Sequence, residues 1–303
     1  MSLKKEAFYL LRRATSMSMR QNLKSRLWRL RVKSAPLIRA WNGTFSTAEL
    51  ELEIRRHLPR DFDILMVHCS YNNLTPMYRD NPGELLKAFL RIAGPERTLA
   101  MPAFFFGTPE QFNLDYYRAN PLFDVRRTPS QMGIVSELFR RRSTVLRSLH
   151  PTHSVCALGP LAKELTHSHH LTPAALGQLS PFGVMARYKT AILGVGTEYY
   201  RTLTQVHAIE DHMGPEFPIP REPEEPVRVT LIDAANRHIP YVMSPPLSRK
   251  FVLKIERLAG LLRPGVLNEW KYKAAPLYRV EAAEINRALG DAAASGKTLY
   301  VPA

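Results

Sequence analysis

The sequence contains only two cysteines, Cys69 and Cys156, in 303 residues, so a fold held together by a framework of disulfides is excluded. It also has no stretch of about 20 consecutive apolar residues, and we therefore expect no membrane-spanning helix. The basic N-terminal stretch never leads into a long uncharged apolar run, which argues against a secretory signal peptide. Together these absences predict a protein of the reducing cytoplasm.

The sequence motifs of several enzyme classes are missing as well. There is no H-E-x-x-H or C-x-x-C pair with zinc-ligand spacing, no G-x-S-x-G nucleophile elbow, no Walker A loop and no G-x-G-x-x-G loop. The histidine-rich stretch "THSHHL" does not replace them, because the adjacent His169 and His170 would point to different faces of any regular element. We therefore expect neither a bound metal ion nor a covalent acyl-enzyme.

Acidic residues are scarce near the N-terminus. Residues 1–41 hold eleven Lys and Arg but one acid, Glu6, and so carry +10 of the net charge of +15. The remaining chain is close to an ordinary charge, which gives little support to nucleic-acid binding by the main part of the protein. The sequence thus divides into a basic helical arm, residues 1–44, and a domain, residues 45–303.

The arm contains leucines at helical spacing, Leu23, Leu27 and Leu30, with Trp28 beside them and basic residues around them. Three interpretations remain open. The helix packs on its own domain or on a second subunit, residues 1–42 lie on an anionic membrane surface, or the arm meets nucleic acid.

The domain alternates apolar strands with helical patterns. The runs "DILMVHCS", "RTLAMPAF" and "TAILGVG" are typical of buried strands, and "PGELLKAFLRIAG" is typical of a helix between them. Ser46 or Thr47 is expected to cap a helix over the stretch "TAELELEIRRHL". The stretch "VRVTLIDAANRHIPYVM" predicts an antiparallel hairpin that turns near residues 235–237. These patterns predict an α/β fold with mixed sheets and flanking helices.

Several blocks of sequence occur in an order that resembles the aminoglycoside 3-N-acetyltransferase family. They are "DILMVHCS", "RTLAMPAF", "FDVRRTPSQMGIVSELFR", "LRSLHPTHSVCALGP", "THSHH", "LSPFG", "AILGVG" and "TQVHAIE". The resemblance begins near Phe45, and its most specific part is TPS-x-MG followed by RS-x-HP. It implies two α/β parts around a buried cleft, acetyl-CoA as acetyl donor, a small-molecule amine as acceptor and a link to antibiotic resistance.

The resemblance also implies site residues. The family's T-x-x-H histidine falls on His169, which would act as general base, while His167 and His170 would be bystanders. The T-x-x-H-x-x-E block falls on Thr204, His207 and Glu210. The family's coenzyme-binding segments fall on His68, Cys69, Ser70, Thr128, Ser130, Gly133, Arg147 and Ser148. Acceptor contacts are expected at Thr204 and Asp211.

Two departures from the family pattern concern the substrates. Cys69 stands where the family usually has a serine, which weakens hydrogen bonding to the coenzyme there. The insertion "TEYYRTL" after Gly196 borders the expected acceptor site, so an aminoglycoside and a smaller amine such as an amino sugar both remain open.

A non-catalytic scaffold of the same fold and an acyl-CoA thioester hydrolase are two further interpretations of the sequence. The sequence does not predict the oligomeric state.

Overall fold

A computed structural model of the protein describes residues 17–111 and 113–303. The strands in these ranges are β1 (Ile64–Cys69), β2 (Thr98–Pro102), β3 (Leu122–Asp124), β4 (Leu146–Arg147), β5 (Val155–Leu158), β6 (Thr190–Val195), β7 (Val227–Ile232), β8 (His238–Met243), β9 (Phe251–Leu253), β10 (Asn268–Tyr272), β11 (Ala275–Glu281) and β12 (Tyr300–Pro302). The α-helices are α1 (Met17–Lys33), α2 (Ala35–Asn42), α3 (Thr47–His57), α4 (Tyr71–Leu74), α5 (Pro82–Ala93), α6 (Leu114–Ala119), α7 (Ile134–Arg140), α8 (Ala162–His167), α9 (Pro181–Met185), α10 (Tyr199–Thr202), α11 (Ala208–Met213) and α12 (Ala282–Ala294). Short 3-10 turns cover His169–Leu171, Thr204–His207, Gly214–Glu216 and Ile255–Gly260.

A seven-stranded mixed sheet forms the centre of the domain, in the order β10-β11-β6-β1-β2-β5-β4. The three strands predicted as buried runs are its middle, with β1 parallel to both β2 and β6. The outer strands run antiparallel to their neighbours. The predicted α/β fold with mixed sheets is therefore confirmed.

Both faces of the central sheet are buried, because alternate residues of each strand point to opposite sides. Met66 and Ile192 belong to the apolar core on one face, which α12 covers. Val67 and Leu193 belong to the core on the other face, which α5 covers. Burial on both sides explains why these strands read as continuous apolar runs.

A second α/β part is built on the three-stranded sheet β3-β7-β8 and its own apolar core, which includes Tyr117, Phe123 and Leu231. The predicted hairpin is confirmed as β7 and β8. The Asp233 side chain fixes its turn by accepting hydrogen bonds from the amides of Ala235 and Arg237. A third, two-stranded sheet pairs β9 with the C-terminal β12.

The arm is helical where the structure describes it, and two arginines attach it to the domain. Arg31 donates to the backbone carbonyls of Asn73 and Thr75, and Arg39 donates to that of Pro76. Residues 1–16 and the side chain of Trp28 lie outside what the structure describes, while Leu23, Leu27 and Leu30 are exposed. Within residues 17–111 and 113–303, no helix is both long and apolar enough to cross a membrane.

Gly194 provides a test of how tightly the central sheet is packed. It lies in β6 opposite Tyr278 of β11, and a methyl group at this position would lie 1.9 Å from a ring carbon of that fully buried tyrosine. We expect Gly194→Ala to lower the free energy of unfolding by roughly 1–3 kcal/mol, since the tyrosine ring has to move within a packed core. Denaturant unfolding followed by circular dichroism measures this change.

Gly260→Ala is the matched control, because a methyl group there meets no other atom within 4 Å. Its free energy of unfolding should stay within about 0.5 kcal/mol of the parent value. Equal stability of the two variants would show that Tyr278 is not confined as the structure indicates.

Candidate active site

A cavity of about 630 Å³ opens where the parallel strands β1, β2 and β6 end at one edge of the central sheet. In sheets of this kind, the loops that follow the carboxyl ends of the strands form the ligand site. Here the end of β1 contributes His68, and the segments after β2 and β6 contribute Phe104 and residues 200–204, while β9 and Tyr300 close the opposite wall. The cavity thus lies between the central sheet and the two-stranded sheet.

Gly196 allows the loops after β1 and β6 to approach each other. Its φ is +72°, a conformation that favours glycine, and a methyl group there would lie 2.5 Å from the carbonyl oxygen of Ser70. The amide of Ser70 donates to the carbonyl of Val195 across the same junction. This close crossing fixes the position of His68, the residue of β1 that lines the cavity.

The segment 204–210 brings a histidine of the cavity wall into contact with a carboxylate that is not itself a lining residue. His207 lines the cavity, and its Nδ1 lies 2.7 Å from Oε1 of Glu210. The hydroxyl of Tyr300 donates to the same carboxylate oxygen at 2.7 Å. Burial and the charge of Glu210 raise the pKa of Tyr300, so that its hydroxyl remains a donor at every physiological pH.

The hydrogen bond to Glu210 has a chemical consequence for His207. A carboxylate accepts hydrogen bonds, so Nδ1 of the imidazole carries the proton and the lone pair of a neutral ring lies on Nε2. Thr204 lines the cavity three residues earlier in the same turn. The T-x-x-H-x-x-E spacing therefore presents a hydroxyl and an oriented imidazole to one cavity.

His169 lies elsewhere, with no exposed surface and with both ring nitrogens in contact with protein atoms. Its Nε2 lies 2.8 Å from the carbonyl oxygen of Ala175, and its Nδ1 lies 2.8 Å from Oγ of Ser148. A carbonyl only accepts, so Nε2 carries the proton and Nδ1 accepts from the serine hydroxyl. Burial lowers the pKa of His169 to about 4, and the ring is neutral at pH 7.

A stack of histidines connects His169 with the cavity. The ring of His150 lies 4.6 Å from that of His169 and nearly parallel to it. The Nδ1 of His150 accepts from the amides of Thr152 and His153, which holds the turn between them. His153 lines the cavity against the rings of Phe104 and Phe106, and burial lowers its pKa to about 3.

The predicted coenzyme segments meet only in part. His68 and Met132 line the same cavity, and a methyl group at Gly133 would lie 3.6 Å from the carbonyl oxygen of Cys69. Burial raises the pKa of the Cys69 thiol to about 12, so it is neither a nucleophile nor an anion at pH 7.

The side chains of Thr128 and Ser130 stabilise the turn that precedes Gly133. Oγ1 of Thr128 accepts from the amide of Asp124, and Oγ of Ser130 accepts from the amide of Met132. The structure therefore gives these two predicted coenzyme residues a local role in their own loop.

Arg147, Ser148 and Asp211 do not line the cavity; the structure gives them different partners. The guanidinium of Arg147 donates to the hydroxyl of Ser154 and to backbone carbonyls that include Ala103, and burial lowers its pKa to about 10. Ser148 binds His169, and Asp211 pairs with Arg221 and accepts from the amide of Leu176. Protein groups occupy these three side chains away from the cavity, and their phosphate and acceptor contacts stay predictions.

Thirteen of the sixteen residues that line the cavity are not among the site residues predicted from the sequence, and His153 and Tyr300 are two of them. His153 belongs to the loop after Arg147, and Tyr300 lies in the C-terminal strand, about 90 residues from Glu210. The histidine-rich stretch "HPTHS" is a sequence signal for His153. No local sequence pattern marks Tyr300.

The family model described as aminoglycoside 3-N-acetyltransferase matches residues 66–290. The chain belongs to this family. It is 30% identical over 145 residues to an aminoglycoside N(3)-acetyltransferase IV of Salmonella, a match that covers 46% of this chain and 50% of that relative. It is 31% identical over 161 residues to an aminoglycoside N(3)-acetyltransferase III of Acinetobacter baumannii, a match that covers 49% of this chain and 55% of that relative. The matched region thus spans about half the length of these curated relatives.

Solved structures with the same fold cover more of the chain. The aminoglycoside acetyltransferase AAC(3)-Xa superposes with a TM-score of 0.66 at 20% identity, over 86% of this chain and 98% of that one. AAC-IIIb bound to CoASH superposes with a TM-score of 0.64 at 22% identity, over 86% of this chain and 100% of that one. AAC-VIa bound to sisomicin superposes with a TM-score of 0.63 at 21% identity, over 81% of this chain and 96% of that one. These similarities confirm the fold expected from the sequence.

The buried histidines predict a loss of stability in acid. An exposed histidine in the unfolded chain has a pKa near 6.5, whereas burial lowers that of His169 to about 4. Between these values the unfolded state binds more protons, so stability is complete above about pH 6.5 and falls as the pH decreases towards 4. At pH 5 the loss from this residue alone is about 2 kcal/mol.

Urea unfolding at pH 7 and pH 5 measures this effect. In His169→Gln, which keeps a donor and an acceptor but does not titrate, the difference between the two pH values should shrink by about 2 kcal/mol. His212→Gln is the control, because His212 is exposed on α11. Identical pH dependence in the two variants would contradict the buried, neutral state of His169.

Proposed function

We propose that this protein transfers an acetyl group from acetyl-CoA to an amine of an aminoglycoside or amino-sugar-like acceptor. The observation that carries the proposal is the contact of His207, a residue of the cavity wall, with Glu210, in a chain of the aminoglycoside 3-N-acetyltransferase family. The CoASH bound to AAC-IIIb and the sisomicin bound to AAC-VIa support the two substrates.

The reaction needs a base because an amine is protonated at neutral pH and has to lose a proton before it attacks a thioester. In the proposed mechanism Nε2 of His207 accepts this proton, directly or through water. The amine nitrogen then forms a bond to the acetyl carbonyl carbon, the carbon–sulfur bond breaks, and the CoA thiolate leaves and is protonated. The products are the N-acetyl amine, CoA thiol and one released proton. Holding the two substrates together supplies much of the acceleration without an enzyme nucleophile.

Glu210 and Tyr300 orient the base in this proposal. The carboxylate holds His207 in the tautomer that presents Nε2, and it stabilises the imidazolium that forms when the ring accepts a proton. The tyrosine hydroxyl keeps the carboxylate oxygen in place from the opposite wall. Glu210 thus acts through His207.

Acetyl-CoA is assigned to the side of the cavity formed by His68 and Met132. The loops that carry these residues hold the segments His68–Ser70 and Thr128–Gly133, which the family resemblance assigns to the coenzyme. Nearby aromatic and aliphatic side chains suit the uncharged pantetheine portion. Thr204 is assigned to the acceptor, because it lies beside His207.

His169 takes a supporting role in the proposal instead of the role of base expected from its motif. Its lone pair on Nδ1 already accepts from Ser148, and its ring supports the stack that leads through His150 to His153. A base with a pKa near 4 is also a weak proton acceptor at pH 7. Its proposed role is to position the loop 150–153 against the cavity.

His207→Ala should lower kcat roughly 10²–10⁴-fold, the usual effect of losing a general base. Glu210→Gln should lower it less, because the imidazole remains but loses its negatively charged partner. Melting temperature should change little in His207→Ala, while His169→Ala should lower melting temperature and kcat together. Thiol release from acetyl-CoA over a panel of amines, with thermal unfolding alongside, measures both quantities.

The exposed His212 supplies the control, and His212→Ala should keep the parent kcat. Full activity of His207→Ala would remove this residue from the mechanism. Thiol release that continues without any amine would favour thioester hydrolysis, the second activity open to the same base. Calorimetry that detects no acetyl-CoA binding would favour a non-catalytic scaffold.

A further inference from the structure

The cavity is unlike a site for a molecule with many positive charges. Ten of the sixteen residues that line it are aromatic or aliphatic, and among the lining residues that the structure describes none is acidic. The one permanently charged side chain among them is Arg201, a cation that lies 3.1 Å from Glu198. A polycation would therefore meet apolar walls and a positive charge.

Three carboxylates close to the cavity along the chain are already bound to protein groups. Glu210 accepts from His207 and Tyr300, and Asp211 is paired with Arg221. Glu198 is paired with Arg201. Each further ammonium group that entered the cavity would lose its hydration without gaining a carboxylate partner, which is unfavourable.

The histidines of the cavity do not alter this balance. Burial lowers the pKa of His68 to about 4 and that of His153 to about 3, so both rings are neutral at pH 7. They offer single hydrogen bonds and ring faces. An uncharged acceptor body, flat or apolar, can pack against them and against Phe104, Phe106 and Phe251.

We propose that the acceptor is a monoamine whose reacting nitrogen is attached to an aromatic or apolar body, and not a polycationic aminoglycoside. The amine would lie at His207, and its body would lie against the aromatic wall. This inference rests on the acetyl transfer and the base of the proposed function, and it replaces the aminoglycoside or amino-sugar-like acceptor named there by another class of amine.

Three amines separate the possibilities when thiol release from acetyl-CoA is measured: 2-phenylethylamine, glucosamine and sisomicin. They offer one amine on an aromatic body, one amine on a polar body and several amines, respectively. We expect kcat/KM for 2-phenylethylamine to exceed that for each of the other two by about tenfold or more, the effect of about 1.4 kcal/mol. A higher kcat/KM for sisomicin than for 2-phenylethylamine would overturn the inference and leave the proposed function intact.

Binding to the CoA-saturated protein, measured by calorimetry, separates failure of the inference from failure of the proposed function. Suppose that 2-phenylethylamine binds more tightly than sisomicin but no amine causes thiol release from acetyl-CoA. This result would support the inferred class of ligand and reject the proposed acetyltransferase activity. Tighter binding of sisomicin would reject the acceptor class, whatever the turnover.

A pair of variants tests the same point inside the cavity. Thr202 lines the wall and its hydroxyl binds Tyr278, a contact that both Thr202→Asp and Thr202→Asn change. Only the first adds a negative charge. We expect Thr202→Asp to raise kcat/KM for sisomicin relative to 2-phenylethylamine by about tenfold, the effect of one charge-assisted contact, and Thr202→Asn to leave the ratio unchanged. If the ratio of kcat/KM for sisomicin to that for 2-phenylethylamine were the same in both variants, the lack of carboxylates would not be what disfavours sisomicin.

A second inference comes from the arm, independently of the cavity. Its outward residues include Leu30, Leu37 and Trp41, which are 60%, 74% and 90% exposed. Between residues 17 and 48 the sequence holds seven Lys and Arg and no acid. The contacts of Arg31 and Arg39 with the loop 73–76 keep the arm on the domain with these apolar groups turned outward.

We infer that this outer face of the arm lies on an anionic lipid bilayer. Exposed Trp and Leu side chains enter the interface of a bilayer, while basic residues around them attract anionic headgroups. A second copy fits less well, since a symmetric contact would bring two basic surfaces face to face. Nucleic acid would account for the basic charge of the arm but not for its exposed leucines.

Cosedimentation with phosphatidylcholine vesicles, with and without phosphatidylglycerol, tests this inference. The full chain should bind the anionic vesicles, more weakly at high salt, and a Leu37→Ala/Trp41→Ala variant should lose most of the binding. Leu52→Ala is the control, because Leu52 is an exposed leucine of α3. Unchanged binding by the double variant, or a dimer that this variant abolishes, would overturn the membrane assignment, as would binding to duplex DNA in place of vesicles.

Discussion

The parallel pairing of β1 with both β2 and β6 is the constraint on which the rest of the structure depends. Parallel neighbours require crossover connections, and these place helices on both faces of the sheet. The same pairing brings three carboxyl ends to one edge, so that His68, Phe104 and the segment 200–204 meet there. Core formation and the position of the cavity are therefore consequences of one arrangement of strands.

The buried histidines illustrate how a polar group is tolerated in this core. His169 keeps two hydrogen bonds after losing its water, which offsets much of the cost of burial. It remains neutral because a charged ring would be poorly solvated there. The ring of His169 stacks on that of His150, and Nδ1 of His150 accepts from the amide of His153, a residue of the cavity wall.

The oriented histidine and the opposite walls of the cavity come from different parts of the fold. The T-x-x-H-x-x-E block yields an oriented imidazole through the contact of His207 with Glu210. The walls opposite, from β9 and Tyr300, are apolar and aromatic. One reaction can operate on different acceptors when the base and the acceptor walls come from different parts of the fold.

Much of the fold can be predicted from the sequence, since burial on both faces leaves continuous apolar runs and a helix leaves caps at its ends. The strands β1, β2 and β6 and the hairpin β7–β8 follow from such local patterns, as does the capping box of Ser46 with Glu49. The pair His207–Glu210 is also visible, because its members are three positions apart and one helical turn brings them together.

Contacts between distant segments are decided only by the tertiary structure. The motif around Arg147 suggests a phosphate ligand, yet its guanidinium is occupied by carbonyls that the sheet brings to it. Tyr300 reaches Glu210 only because β12 pairs with β9 at one wall of the cavity. Local spacing determines which side chains share a turn. Which of them faces the cavity, and which is buried behind it, depends on long-range strand pairing that no single stretch of this sequence records.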